Sequence, residues 1–335
     1  KPASPGYENH PGVILQGHMD MVPQKNNDTV FDFAKDPIEA YVDGEWVTAK
    51  GTTLGADNGI GVAAAMAILA DKSVVHPPLE VLVTVDEETG MYGAFALEGG
   101  LLQGKTLLNL DSEAEGELYV GCAGGVDTTA KFQYTPVPVE EGDVAIKISL
   151  TGCKGGHSGC DIHLQRANAN KLLFRFLKDA VANFEARLAS VEGGSLRNAI
   201  PREASAIITI PAEGVEEIID LVAEYEDLFV TEYEGVEDNI HFTAEEVACP
   251  TTELPEDVQD FLIHAVTACP HGVYRVIPEM PDVVETSNNL AMLTTEDNCV
   301  TVMCLTRSSV ESRKEELQEI IQSVFAMAGA EVEFS

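Results

Sequence analysis

Basic residues are scarce in this chain. Its 335 residues hold 20 Lys and Arg against 56 Asp and Glu, a formal net charge of −36. A polyanion of this kind is repelled by nucleic acid, so no nucleic-acid partner is expected. Long apolar runs are missing as well: none approaches the roughly 20 residues that cross a bilayer, so no membrane partner is expected. The 7 cysteines are odd in number and irregular in spacing, which suits a reducing cytoplasm better than a disulfide framework. Histidines number only 8, so one placed at the tip of an apolar run calls for a reason. What is present is ordinary for a globular protein, with 45% hydrophobic residues and a length that predicts two domains.

In the first third, short apolar runs alternate with helical patterns. "GVILQG" (12–17), "LEVLVTVD" (79–86) and "TLLNLD" (106–111) read as buried strands. "GIGVAAAMAILADK" (59–72) reads as an Ala-rich helix and "MYGAFALEGGLL" (91–102) as a shorter one. This is an α/β layout with a mixed sheet, and its strands end in carboxylates or a histidine, where open α/β sheets carry their sites. From about residue 144 the order becomes strand, helix, strand, strand, helix, strand, and a similar order follows from Pro255. The spacing predicts an α+β second domain resembling a duplicated ferredoxin-like unit on antiparallel sheet. The expected division is 1–124 and 125–335.

Three motifs invite readings that their contexts oppose. "GGLLQGKT" (99–106) matches a phosphate loop, but a helix precedes it and a strand follows, the reverse of what that loop requires. "GIGVAA" (59–64) resembles a dinucleotide turn, yet Asp57 stands just before it, where a pyrophosphate would be repelled. An Asp capping the helix is the plain alternative. "CKGGHSGC" (153–160) lacks the four closely spaced ligands of a structural zinc site and reads as a glycine-rich loop presenting His157.

A different set converges. In "VILQGHMDMV" (13–22), His18 and Asp20 are two apart, so on a strand they share a face. "VLVTVDEETG" (81–90) ends a strand on Asp86, Glu87 and Glu88, and "TLLNLD" ends on Asp111. Adjacent strand residues face opposite ways, which would give Glu87 and Glu88 different tasks. One imidazole among several carboxylates suits zinc, with manganese or cobalt as substitutes, more than calcium. The surplus of carboxylates points to two ions about 4 Å apart sharing a bridging group.

"GHMD" (17–20), "GADNGIG" (55–61), "DEETG" (86–90) and "NLDSE" (109–113) resemble the dizinc peptidase family that includes carnosinase, glutamate carboxypeptidase and succinyl-diaminopimelate desuccinylase. "KGGHSG" (154–159) and "LRNAIPREA" (196–204) extend the likeness into the second domain. The resemblance implies a zinc dipeptidase that hydrolyses Xaa-His, carnosine-like substrates. It implies metal ligands at His18, Asp57 (bridging), Glu88 and Asp111, with Asp20 orienting the imidazole and Glu87 as general base. It also implies a homodimer whose second domain covers the site: His157 would stabilise the oxyanion in a neighbouring site, and Asn198 and Arg307 would hold the substrate. Near alternatives within the family are a tripeptide aminopeptidase and an N-acyl amino acid deacylase. The family pattern further leads one to expect a return segment carrying another histidine ligand. His163, His241, His264 and His271 do not stand in that context. A chain that truly ended at Ser335 would be expected to bind one metal weakly and to show little or no activity, an inactive dimerisation or binding fragment being the alternative of a different class; with that histidine present beyond Ser335, the enzyme is expected to be active.

Overall fold

The computed structural model describes residues 1–25, 29–112, 116–119 and 121–335. Glu113, the last residue of "NLDSE", lies outside them. The chain forms two compact units, Lys1–Val120 and Gly121–Ser335.

The first unit runs β1 (Val13–His18), β2 (Ala40–Asp43), β3 (Trp46–Ala49), α1 (Ala56–Ala70), β4 (Leu79–Thr84), α2 (Glu87–Gly90), α3 (Tyr92–Phe95) and β5 (Thr106–Asn109). Strands β4, β1 and β5 pair in parallel with β1 in the middle, whereas β2 and β3 form a separate antiparallel ribbon. Both kinds of pairing thus occur in the unit. Ile14 and Leu15 on successive positions of β1 are both buried, as expected for a parallel strand covered on two faces. The glycine pattern at the start of α1 has a packing reason. A Cβ on Gly17 would collide with Oδ1 of Asn58, and one on Gly61 would meet the same atom and, at 2.8 Å, the Leu110 carbonyl. Glycine at both positions lets α1 close onto β1 around the Asn58 side chain.

The expected second helix over 91–102 is a single turn, Tyr92–Phe95, and Gly99 and Gly100, the latter with φ 89°, lie in the turn that comes after it. The phosphate-loop look-alike beyond it is occupied by the protein itself. The amides of Gln103 and Gly104 donate to the Glu80 carboxylate, which leaves that turn already serving an anion.

The second unit runs β6 (Gly124–Gln133), β7 (Val137–Pro138), β8 (Asp143–Thr151), β9 (Gly156–His157), α4 (Ala169–Asn183), β10 (Arg187–Gly193), β11 (Ala199–Ile200), β12 (Ala204–Pro211), α5 (Val215–Glu232) and β13 (His241–Val247). It continues with β14 (Thr252–Glu253), α6 (Glu256–Ala268), β15 (Gly272–Ile277), β16 (Met280–Glu296), β17 (Cys299–Ser308), α7 (Glu311–Met327) and β18 (Glu331–Phe334). Among the described residues, its main sheet has nine strands in the order β13-β8-β12-β10-β16-β17-β6-β18, with β15 also on β16. Every pairing in it is antiparallel. Its two halves meet where Gly193 of β10 pairs with Leu293 of β16.

Helices α4 to α7 bury their apolar stripes against this sheet in one core, in which Phe174, Phe176, Leu177, Phe229, Leu317 and Phe325 are almost wholly enclosed. The stripe of α4 (Leu172, Leu173, Phe176, Leu177, Ala180) follows the helical period. Asn168 caps its first turn by accepting from the Lys171 amide.

The other end of the Asn168 side chain ties the helix to the sheet. Its Nδ2 donates to the Leu290 carbonyl at 2.9 Å and to His271 Nδ1 at 3.1 Å, and the Leu290 amide also donates to that Nδ1. The His271 ring proton therefore sits on Nε2. Burial, helped by the Lys171 charge, pushes this imidazole down from 6.5 to about 4. The unfolded chain consequently takes up the proton first on acidification. His271 contributes its full stabilisation above about 6.5 and loses it as pH falls towards about 4. Thermal melts of the wild type and His271→Asn across that window are expected to show the steeper acid loss in the wild type.

Candidate active site

The first unit gathers its chemistry where β1, β4 and β5 end. His18 closes β1 and is fully buried. Its Nε2 lies 3.0 Å from Asp57 Oδ1 and 3.5 Å from Asp111 Oδ1. On its other side, Nδ1 is 3.0 Å from the Asp20 carbonyl and 3.4 Å from Asp20 Oδ1. Asp20 lies just past the strand, so the pair meets through a turn rather than along one strand face. Its Oδ2 accepts the Glu88 amide at 3.1 Å, so one carboxylate steadies both the imidazole and the start of α2.

Glu87 and Glu88 also differ from the strand reading. β4 stops at Thr84, and the two glutamates open the short helical turn α2 after Asp86, which has φ 55°. They point apart because of the helical angle between neighbours, not by strand alternation. Asp57 does not cap α1; Gly55 stands at that position without a side-chain cap, and Asp57 turns towards His18. Asp111 is held by Asn58, whose Nδ2 donates to Asp111 Oδ1 at 2.6 Å and to the Leu110 carbonyl at 2.9 Å. Asn58 was not singled out from sequence. Its signal was the two glycines that make room for its side chain, Gly17 on β1 and Gly61 in α1.

Two sets of donor atoms each lie within 4.8 Å of one another: His18, Glu87 and Glu88, and His18, Asp57 and Asp111. Crowding shows in the acidities. Burial, with the neighbouring negative charges, raises Glu87, Glu88 and Asp111 above the usual carboxylate range. For His18, burial acts downward, but the charge of Asp111, the hydrogen bond that the ring donates to Asp57 and the charge of Glu87 outweigh it, and the imidazole is raised. For Asp20, burial acts upward, but the Glu88 and Glu87 amides prevail and hold it low. Among the described residues, four carboxylates gather against one imidazole with no Lys or Arg ion pair to balance them, and Asp20 Oδ1 is buried without a hydrogen-bond partner. This donor set fits divalent metal: one nitrogen and several carboxylate oxygens, gathered at repulsive distance.

In the second unit, His157, Asn198 and Arg307 are brought to one place. β9 pairs with β11, setting His157 opposite Ala199, and the Ser158 amide donates to the Asn198 carbonyl at 2.7 Å. The Gly159 and Cys160 amides donate to His157 Nδ1 at 3.2 and 3.1 Å, so the ring proton resides on Nε2. Gly159 eases this wrap. A Cβ there would lie 3.0 Å from His157 Cε1 and 3.5 Å from Arg307 Cδ. The loop presents an exposed His157, yet Cys153 and Ser158 beside it are buried. Arg307 Nε is buried with no hydrogen-bond partner among the described residues.

The class that this fold and site define is a metal-dependent peptidase. Residues 148–237 match the peptidase dimerisation domain of the M20 family. The chain is 49% identical over 333 residues to the cytosol non-specific dipeptidase of Escherichia coli strain K12, covering 99% of this chain and 69% of that protein. It superposes on the crystal structure of aminoacylhistidine dipeptidase from Vibrio alginolyticus with a TM-score of 0.72 and 52% identity, over 100% of this chain and 68% of that one. The chain belongs to the M20 peptidase family.

Two measurements test the metal centre. Zinc binding is expected to release protons, increasingly so on the acid side of neutrality, because Glu87, Glu88 and Asp111 hold theirs unusually tightly. Calorimetry in buffers of different ionisation enthalpy reads that release. Asp57→Asn is expected to weaken zinc binding by at least about tenfold, since it removes a charged oxygen facing His18.

Proposed function

We propose that this chain is a zinc dipeptidase of the cytoplasm that hydrolyses Xaa-His dipeptides, carnosine-like ones included. The observation that carries the reading is the convergence of Asp57, Glu87, Glu88 and Asp111 on the buried His18. The names and extent of the two close relatives support the substrate class.

In this reading, His18, Asp57, Glu88 and Asp111 would hold two zinc ions. Manganese and cobalt are the natural substitutes. When bound, the ions supply Lewis acidity to the scissile carbonyl and to the attacking water. Asp20 fixes the His18 ring through Nδ1 and steadies Glu88 through its amide. Glu87 is the general base: it takes the proton of the attacking water and passes it to the leaving amine. Burial, together with the neighbouring carboxylates, raises its carboxyl above the usual carboxylate range and so strengthens it as a proton acceptor.

His157 donates from Nε2 to the carbonyl oxygen as negative charge develops there, its Nδ1 being engaged by two backbone amides. Asn198 and Arg307 hold the substrate backbone and carboxylate; a guanidinium fork matches a carboxylate in both charge and shape.

The residues divide by role into a zinc-binding catalytic domain, 1–124, and a lid and dimerisation domain, 125–335. The second domain reads as two ferredoxin-like units, one inserted within the other. Strands β8, β10, β12 and β13 lie in the order fourth, first, third, second, and so do β6, β16, β17 and β18. The match to a peptidase dimerisation domain supports a homodimer.

Steady-state assays of the metal-loaded protein on β-alanyl-histidine, a tripeptide and an N-acetyl amino acid test the substrate class. Dipeptide turnover is expected. Exclusive turnover of the tripeptide or the acyl amino acid would instead assign an aminopeptidase or a deacylase. Glu87→Gln is expected to lower kcat by at least about a thousandfold with zinc content unchanged. Activity surviving in that variant would remove Glu87 from the base role.

A further inference from the structure

Asn289 has no part in the reading above, yet it sits behind it. The residue lies on β16, is 1% exposed, and uses both hydrogens of its amide. Its Nδ2 donates to the Arg197 carbonyl at 3.0 Å and to the Ala199 carbonyl at 2.7 Å. Those two carbonyls bracket Asn198. The Arg197 carbonyl lies in the peptide plane entering Asn198 and the Ala199 carbonyl one plane beyond the plane leaving it, so the grip holds the backbone on both sides of that residue and limits the direction in which its Cα–Cβ bond leaves the chain.

Three connections carry the grip further. The Asn198 carbonyl accepts the Ser158 amide at 2.7 Å, and Ala199 pairs with His157 across β9 and β11, so a shift at 198 moves the histidine loop with it. Arg197 is anchored on its far side: its Nη1 donates to Asp127 Oδ2 at 2.6 Å and its Nη2 to Thr129 Oγ1 at 3.3 Å on β6. In the β16–β17 register, Asn289 stands opposite Leu305 and Ser287 opposite Arg307, so Asn289 and Arg307 are diagonal neighbours on the same sheet face.

The energetics argue that this amide is not there for core stability. Its Oδ1 is buried with no hydrogen-bond partner among the described residues. A buried amide with one end unsatisfied is a poorer stabiliser than an apolar side chain of similar volume. What it does supply is two donors at a fixed separation.

We propose that Asn289 is a positioning residue for substrate binding: its buried carboxamide clamps the backbone on either side of Asn198 and, through the Ser158 amide, sets the His157 loop. The inference rests on the assignment of His157 and Asn198 as substrate-contacting groups.

The test is a double-mutant cycle on the metal-loaded protein with β-alanyl-histidine as substrate, using Asn289→Ala, Asn198→Ala and both together. Zinc content and Tm are measured alongside. Asn289→Ala is expected to lower kcat/KM about ten- to a hundredfold, with KM rising and zinc content unchanged. In the Asn198→Ala background it is expected to cost no more than about two- to threefold further, because the side chain it positions is gone. Asn289→Asp keeps the shape and loses the donors, and it takes the same place in the cycle if the alanine variant does not fold. Costs that multiply in the double variant would overturn the proposal, as would an Asn289 variant with unchanged kcat/KM. Failure of both variants to fold would make Asn289 structural and overturn it too. If Asn198→Ala alone is harmless, the assignment of Asn198 falls and takes this inference with it. If Asn198→Ala is damaging and the Asn289 variants are not, only this inference falls.

Discussion

Mutual repulsion among carboxylates is the constraint around which the first unit is built. Asp57, Glu87, Glu88 and Asp111 come from three different connections and are brought against one buried imidazole. Left in water, these groups would move apart; here, backbone geometry holds them together. Asp111 is tethered by Asn58, the Glu88 amide by Asp20, and the α1 helix by glycines that allow contact with β1. Asn58 and the glycines are neutral and Asp20 is itself an anion, so none of these tethers relieves the charge. The unrelieved charge is the affinity for a cation, stored in the fold before the cation arrives.

The same principle of indirect holding recurs in the second unit, with opposite electrostatics. In the function proposed above, the groups to be positioned there are donors, His157 Nε2, the Asn198 amide and the Arg307 guanidinium, and what holds His157 and the Asn198 segment is a set of carbonyls and amides. The His157 ring is oriented by two amides and the Asn198 segment by a side-chain amide beneath it. Placing a short two-residue ladder, β9 with β11, over a long strand such as β16 gives loops the precision of a sheet.

Much of this was legible in the sequence, and the reasons are physical. His18, Asp57 and Asp111 were visible because a polar residue at the tip of an apolar run stands out against its neighbours. Glu87 and Glu88 were visible as charges, but their helical turn was not, because one turn of helix leaves no periodicity to read. The ribbon β2–β3 was passed over although Asp43-Gly44 between alternating residues is a hairpin signal. β6 was missed for a different reason. Thr128, Ala130 and Phe132 do alternate inward, but a threonine and an alanine on the buried face do not look like core. Asn58 and Asn289 were illegible because a buried asparagine is defined by its partners, and those partners lie 52 and about 90 residues away.

The position of β6 has a consequence for how the protein is made. Its ladder neighbours in the main sheet are β17 and β18, with Gly124 facing Ser308 and Thr128 facing Phe334. On a ribosome, β6 therefore emerges well before any strand able to pair with it. The intervening strands β8, β10, β12 and β13, with α4 and α5, can assemble meanwhile as a local antiparallel unit. Until β17 arrives, β6 is a strand with both edges open, and the ladder closes only after long-range search. The slowest and most aggregation-exposed step of synthesis thus falls on a segment far in sequence from the strand that completes it. The lysine near its C-terminal end, Lys131, is the kind of charge that keeps an open edge from pairing with the wrong chain.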